Sequence, residues 1–455
     1  MRLLSNPIAA LDLDPPSQAK AQVPAIMEAA LLAVDPGKAV TRSMDRQGID
    51  MRVGAQVHDL DSYEHIYVVG AGKASAAMAV ALDDALGQRL TEGWVNVKDG
   101  YTVATKMITI HEAGHPFPDD RGVGGSEKIA SLVRKAGRND LIVCLISGGG
   151  SALVTFPVEG LHLSYVESLT QALLRCGATI NEINAARKHI SQLKGGQLAR
   201  LEQPAEVVWL IFPDVVGNPL DVIASGPTSP DSSTFAQAYS VLQKYGLLDT
   251  VPRAVVDHLQ RGVDGLVPGT ATSGDAAFRR TQNVLVGSNG HAAQAAVDEA
   301  AQRGLHSQLL STFIEGEARA VAKVMASLER DIEHSGRPLA RPASVVAGGE
   351  TTVTVQGQGQ GERNQELALA AAPRLAGLDD VAVVALGTDG TDGPTDAAGA
   401  VATGRTMHRA QQKGLSHASY LADNDAYRFI QALGDLIISG PTNTNVNDLI
   451  LIFAY

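Results

Sequence analysis

Residues 141–151 read LIVCLISGGGS, and the fold turns on them. Leu141 to Ile146 is a solid apolar run, which predicts a buried strand. Three glycines between Ser147 and Ser151 end that strand. The pattern recurs upstream, where Ile66 to Val69 leads through Gly70-Ala71-Gly72-Lys73-Ala74-Ser75 into a helical stretch. That stretch, Ala74 to Leu90, carries Met78, Leu82 and Leu86 on one stripe. Asn181 to Arg200 reads as one helix, and Val207 to Phe212 as another strand. Strands alternating with helices in this way predict βαβ units and a mostly parallel sheet.

A Gly-, Pro-, Thr- and Ser-rich segment, Gly262 to Gly274, marks a domain boundary. A second alternating set follows: the strand Val284 to Val286, the helix Ala292 to Arg303, the strand Ser344 to Ala347 and extended Thr351 to Val355. It continues with the helix Arg363 to Leu375 and the strands Val381 to Leu386 and Leu449 to Phe453. The expected architecture is two α/β domains, 1–262 and 275–455. Met1 to Val23 reads as a loosely held arm before a helix from Pro24 to Val34.

The chain has 455 residues, and 45% of them are hydrophobic, a globular composition. Its net charge is -12, with no basic run, which excludes nucleic acid as a main partner. Cys144 and Cys176 are the two cysteines and form no metal spacing, which suits a reducing, cytoplasmic setting. No apolar run approaches the ~18 residues of a membrane span, and no signal peptide is read at the N-terminus.

Five segments carry chemistry. Gly70 to Ser75 opens a helix after a strand, where backbone amides and Lys73 can meet an anion. It departs from the dinucleotide fingerprint at Ser75, and Tyr67 rules out a Walker A motif. Ser147 to Ser151 is a loop almost free of side chains, whose amides form an anion nest. Arg187, Lys188 and Lys194 place positive charge on or near one helix, as anion ligands or as a solvated face. Gly387 to Ala400, GTDGTDGPTDAAGA, puts Asp389, Asp392 and Asp396 just past a strand end. Such a loop is either a connector or an oxygen-ligand site for Mg²⁺. Arg363 opens a helix at the end that disfavours cations, a local conflict typical of functional sites. His111 and His115 lie one residue too close for a metal-binding HExxH helix and read as part of a loop.

Taken together, the motifs VVGAGKAS (68–75), HEAGHPFPDDRG (111–122), LISGGGSAL (145–153) and NEINAARKHISQLKGG (181–196) resemble the glycerate 2-kinase family. So do DVIASGPTSPD (221–231), GGETTVTV (348–355), RNQELALAAA (363–372) and the 387–400 loop, in the same order. The resemblance implies a Rossmann-like N-terminal domain, a smaller MOFRL-type C-terminal domain and an active site in the interdomain cleft. It implies phosphoryl transfer from ATP, with Mg²⁺, to the C2 hydroxyl of D-glycerate. Lys73, Arg363 and Asp214 match the catalytic positions, and Asp389 with help from Asp392 is the expected metal site. Gly72, Ser147, Gly148, Gly149, Gly150, Ser151, Lys194, Glu350 and Asn364 are the expected contacts to substrate or nucleotide. Pro213, Asn218 and Glu362 depart from the residues usual in relatives, without removing a catalytic one. The expected partners are small molecules and, at most, a second copy in a homodimer.

Two other readings compete. An NAD(P)H-dependent hydroxypyruvate reductase needs an acidic residue about 20 positions past the glycines to bind ribose. Glu92 lies there, but Gly93 makes a second strand unconvincing. A non-catalytic sensor of small phosphorylated acids would use the same loops without needing Asp389 and Asp392.

Overall fold

The computed structural model describes residues 8, 11 and 18–455. The chain divides into two compact units. One spans 36–286, and the other joins 287–455 to the described part of the first 35 residues.

The unit 36–286 is built on a six-stranded sheet. Its order is Ile108–Ala113, Glu92–Lys98, Ile66–Ala71, Leu141–Ser147, Glu206–Phe212, Thr281–Leu285. Every neighbouring pair is parallel. In chain order this is 3-2-1-4-5-6, the doubly wound arrangement. All seven residues of Leu141–Ser147 are buried, as the apolar run predicted. Met78, Leu82 and Leu86 bury one stripe of the helix Ser75–Leu86. The strand order reverses between Ile66–Ala71 and Leu141–Ser147. Ligands bind beyond the carboxyl ends of the strands at such a point.

Several elements differ from the sequence reading. Glu92–Lys98 is a full strand despite Gly93, because Ile108 lies where a Cβ would go, 2.8 Å away. Residues 181–200 form two helices, Ile180–His189 and Gln197–Leu201. The chain between them turns through Gly195 and Gly196, both at positive φ. Thr281–Leu285 pairs with Val207–Ile211, so it completes the first sheet rather than opening the second set. A small antiparallel sheet, Met44–Gln47, Asp50–Val53 and Gln56–Asp59, was not foreseen.

The second unit holds a mixed sheet. Its order is His306–Glu317, Ala343–Thr352, Asp448–Ala454, Val381–Gly387, Gly399–Thr403, Leu436–Ile437. Asp448–Ala454 runs antiparallel between Ala343–Thr352 and Val381–Gly387. Asp448 is therefore in register with both Gly349 and Gly387. That register brings the ends of three distant segments to one edge. The helices Ala318–Ser335 and Arg363–Leu375 bury their apolar faces together against the sheet.

The first helix runs Gln18–Ala33 with Pro24 inside it, not starting at Pro24. Val23, Ile26, Met27 and Ala30 are wholly buried, and the helix packs against Asn289–Gln302. This burial outweighs the hydrogen bond that proline forfeits. The expected arm, Met1 to Val23, is thus helical from Gln18, and its remaining residues other than 8 and 11 lie outside the described residues.

Candidate active site

In the unit 36–286 the switch point is crowded with backbone. Gly72 leaves the strand at φ +141, and any Cβ there would strike Ser147. The Lys73 amide donates to the Gly148 carbonyl at 2.8 Å. The Ser147 hydroxyl accepts from the Ala74 amide and meets the Ser75 hydroxyl, both at 3.0 Å. Ser147 therefore knits the two glycine turns together, and only its neighbours remain to face a ligand. That corrects its expected role as a direct ligand contact.

Three side chains converge on the glycines that follow. A Cβ on Gly148 would run into the Asp214 carboxylate. One on Gly149 would lie 2.9 Å from His115 Nε2 and 3.4 Å from Lys73 Cγ. Gly150 is closed off by Ile146, Ala224 and the Ala71 carbonyl. Lys73, Asp214 and His115 thus surround Gly148 and Gly149. Although part of Asp214 reaches solvent, the protein around its carboxylate raises its pKa. Hydrogen bonds from its own and the Gly149 amides, with the Lys73 charge, pull it partly back. His115 is pushed down to about 4 by burial and then by the charges of Lys73 and Lys98. Its imidazole is neutral near pH 7, and its Nδ1 is buried without a partner. His115 was not expected at a site, because the spacing test asked only about metal. His111 belongs to the strand Ile108–Ala113 rather than a loop, and its Nε2 meets the Arg121 carbonyl at 3.0 Å.

Next to this loop, the Ser151 hydroxyl meets Ser225 at 2.9 Å, and the Ser151 carbonyl accepts from Lys194 at 2.6 Å. Lys194 is 2% exposed, and Lys188 is buried in an ion pair with Asp231 at 3.1 Å. Neither forms the solvated helix face that composition allowed.

In the second unit the loop after Val381–Gly387 is tied to the segment before the last strand. The Thr388 hydroxyl donates to the Asn447 carbonyl at 2.7 Å and accepts from the Val446 amide at 2.9 Å. Asn289 holds the same segment through the Val446 and Asp448 carbonyls, at 2.8 and 2.9 Å. Asp448 receives Arg363 in a two-pronged pair, Nε at 2.6 Å and a terminal nitrogen at 3.3 Å. Glu350 takes another terminal nitrogen of Arg363 at 3.1 Å. Burial opposes the charge on Arg363, but Asp448 and Glu350 outweigh it and hold its pKa above the ordinary value. The conflict seen in the sequence, a cation at a helix N-terminus, is met by these partners.

Asp392 supplies the helix N-terminus with its anion. Its oxygens accept from the Asn364 amide at 3.1 Å, the Asn364 side chain at 3.1 Å and the Gln365 amide at 2.8 Å. Burial still pushes its pKa up to about 7, with Asp448 adding repulsion. Asp396 is exposed and accepts from the Tyr427 hydroxyl at 2.7 Å, a turn-shaping role.

Both Asp392 oxygens are occupied by the helix, so that carboxylate is an anchor rather than a free ligand. Asp389 uses one oxygen on Thr391, at 3.0 and 3.2 Å, and the other takes no hydrogen bond among the described residues. Asp448 is pushed up by burial and, in part, by the Asp389 charge. Asp448, Glu350 and Asp392 act on the Arg363 guanidinium, and Asp389 acts in turn on Asp448. An all-oxygen, cation-deficient edge suits a hard cation held by one or two carboxylates. Among the described residues, three carboxylate or imidazole side chains come within 4.8 Å of one another at Glu64, His65 and Asp140, elsewhere in the fold. Glu350 and Asn364, expected as ligand contacts, hold Arg363 and Asp392.

A doubly wound sheet with a glycine nest at its switch point, joined to a mixed α/β unit, defines a two-part α/β protein built to handle small anions. A domain of unknown function, DUF4147, matches residues 22–260, and the MOFRL family matches 343–448. A D-glycerate 2-kinase of Thermotoga maritima is 38% identical, covering 96% of this chain and 99% of its own. A glycerate 2-kinase of Pyrococcus horikoshii is 38% identical over 93% of this chain and 94% of its own. The crystal structure of the glycerate kinase from Thermotoga maritima superposes with a TM-score of 0.85, at 37% identity, over 95% of this chain and 98% of that one. A protein of Agrobacterium vitis that carries a hydroxypyruvate reductase name is 41% identical, over 84% of this chain and 85% of its own. This chain belongs to the glycerate kinase family.

Proposed function

We propose that this protein is a glycerate 2-kinase, transferring the γ-phosphoryl group of ATP to the C2 hydroxyl of D-glycerate. The observation that carries the reading is the convergence of Lys73 and Asp214 on the Gly148–Gly149 backbone, at the switch point of a sheet that these relatives share. The bond between the C2 oxygen and phosphorus forms as the bond to ADP breaks, and the hydroxyl proton passes to Asp214. Burial strengthens Asp214 as a base, and Lys73 supplies positive charge against the transferring group. Arg363, fixed by Asp448 and Glu350, offers its planar donors to phosphate oxygens. Mg²⁺, when bound, supplies charge neutralisation at the nucleotide phosphates, and Asp389 is the residue with an oxygen to hold it. No helix of the described residues is long and apolar enough to cross a membrane. Both cysteines are unpaired, which supports a cytoplasmic setting.

The reductase reading draws support from the Agrobacterium vitis name. Geometry opposes it: Glu92 is in register with Tyr67, at the far end of the strand from Gly72. Four residues of strand separate that level from Ala71, about 13 Å. A ribose bound near the glycines is out of its reach. The deciding assay supplies ATP, Mg²⁺ and D-glycerate, follows ADP, and locates the phosphate on C2 or C3 by NMR. ADP formation that stops when EDTA removes the metal is the expected result. NADH oxidation with hydroxypyruvate, and no ADP with glycerate, would overturn the proposal.

A further inference from the structure

The mechanism above leaves two cations unused, one buried and one half-buried. Lys194 is 2% exposed, and its ammonium touches only the Ser151 carbonyl at 2.6 Å and the Ser151 hydroxyl at 3.3 Å. Arg187 reaches the same carbonyl at 3.4 Å, and its Nε is buried with no partner. Among the described residues neither has a carboxylate within ion-pair distance. The nearby Asp231 is already neutralised by Lys188 at 3.1 Å. Burial drives the Lys194 pKa well below its ordinary value, and the Arg187 charge drives it further. A lone buried charge costs several kcal/mol, and two like charges side by side cost more. Folds keep such a pair when a ligand brings the missing negative charge.

Chemistry around the pair narrows that ligand. Ser225 bridges the Ser151 hydroxyl at 2.9 Å and the Asn184 side-chain oxygen at 3.2 Å. Ala224 and Ser225 are held at φ +51 and +63, a costly conformation for residues with side chains. The groups beside Arg187 and Lys194 are thus neutral hydroxyls and an amide. A short hydroxy acid presents the matching set, one carboxylate fork with hydroxyls beside it.

We infer that Arg187 and Lys194 hold the carboxylate of the acceptor hydroxy acid, with Ser151 and Ser225 as neutral neighbours. This rests on the kinase reading for the identity of the acid, and it deepens that reading by assigning the acceptor's charged end. A fork on Arg187 and a point charge on Lys194 would complete two sets of hydrogen bonds that the protein leaves open.

The test uses the full chain with Lys194→Met and, separately, Arg187→Met. D-glycerate affinity, read from calorimetry and from protection against thermal unfolding, should fall about 10- to 150-fold, the range of one charged hydrogen bond. KM for ATP should stay within about threefold of wild type. The ligand-free unfolding midpoint of Lys194→Met should stay level or rise, since an unpaired buried charge is gone. A midpoint lowered by several degrees would mark a structural role and overturn the assignment. So would unchanged glycerate affinity, or a rise in KM for ATP instead. The wild-type protein gives an answer that needs no variant: D-glycerate should protect it, and uncharged glyceramide should not. Equal protection by the two overturns the inference. Glycerate protection without ADP formation would sink the kinase reading and leave this one standing.

Discussion

Asp448→Asn isolates what holds Arg363. The substitution keeps the size of the side chain and one oxygen, but removes the charge that meets Arg363 Nε at 2.6 Å and a terminal nitrogen at 3.3 Å. Only the first of these is short, so the loss is close to one charge-assisted hydrogen bond, about 2–3 kcal/mol. Glu350 does not make this up, because its side chain is 40% exposed and water screens it. Arg363 is itself 28% exposed, so its loose guanidinium can rehydrate. Unfolding should therefore lose less than the ~3–5 kcal/mol of a wholly buried pair. The deficit should appear in turnover instead. At about 1.4 kcal/mol per tenfold, kcat should fall roughly 30- to 150-fold. Steady-state ADP release with D-glycerate reads this directly. A double-mutant cycle with Arg363→Lys separates positioning from general damage. If Asp448 acts only through Arg363, the double variant should be scarcely slower than Arg363→Lys alone. A kcat within about threefold of wild type, or effects that simply multiply, would refute the reasoning.

Three further outcomes follow from the same contacts. Lys73→Met should lower turnover about 10²- to 10³-fold while stability moves by less than about 1 kcal/mol, since Lys73 makes no ion pair among the described residues; calorimetry alongside the rate assay tests both halves. Gly148→Ala should drive a methyl into the Asp214 carboxylate, costing about 1–3 kcal/mol and most of the activity, whereas Gly137→Ala, whose methyl would lie 3.6 Å from Asp140 Oδ2, should do neither. Asp392, raised to about 7 in the fold, should contribute stability that is complete below pH ~4 and lost as pH climbs through 7, a share of the slope of up to about −1.4 kcal/mol per pH unit that Asp392→Asn removes while Glu202 and Glu329, raised to about 8, keep theirs; a slope between pH 5 and 7 that Asp392→Asn leaves unchanged would contradict it.

Local signals carried the architecture well. The seven buried residues of Leu141–Ser147 and the Met78, Leu82 and Leu86 face of Ser75–Leu86 were legible, because a solid apolar run and a 3.6-residue stripe are properties of neighbours in sequence. Gly93 misled for a related reason. A glycine weakens a strand in isolation, but here it admits the Ile108 side chain from the next strand, which no local window contains. Pro24 misled likewise, since the packing that overrides it comes from a helix more than 260 residues away.

The site was legible in its charges and illegible in its pairings. Lys73, Asp214 and the glycines announced an anion site, yet nothing in the sequence says that Ser147 spends its hydroxyl on Ala74. Asp392 and Asp389 look alike in GTDGTDG, and geometry alone makes one a helix anchor and leaves the other with one oxygen beyond its bond to Thr391. Asp448 was missed because its partner is 85 positions distant and is set by strand register. The one clue was the conflict at Arg363 itself. A guanidinium at a helix N-terminus repels the dipole behind it, so some carboxylate had to offset it. Two do so by separate routes: Asp392 satisfies the amides, and Asp448 grips the side chain. Because the dipole and the guanidinium have different partners, Arg363 can meet a phosphate without unseating its helix. A single carboxylate serving both would have had to release one to bind the other.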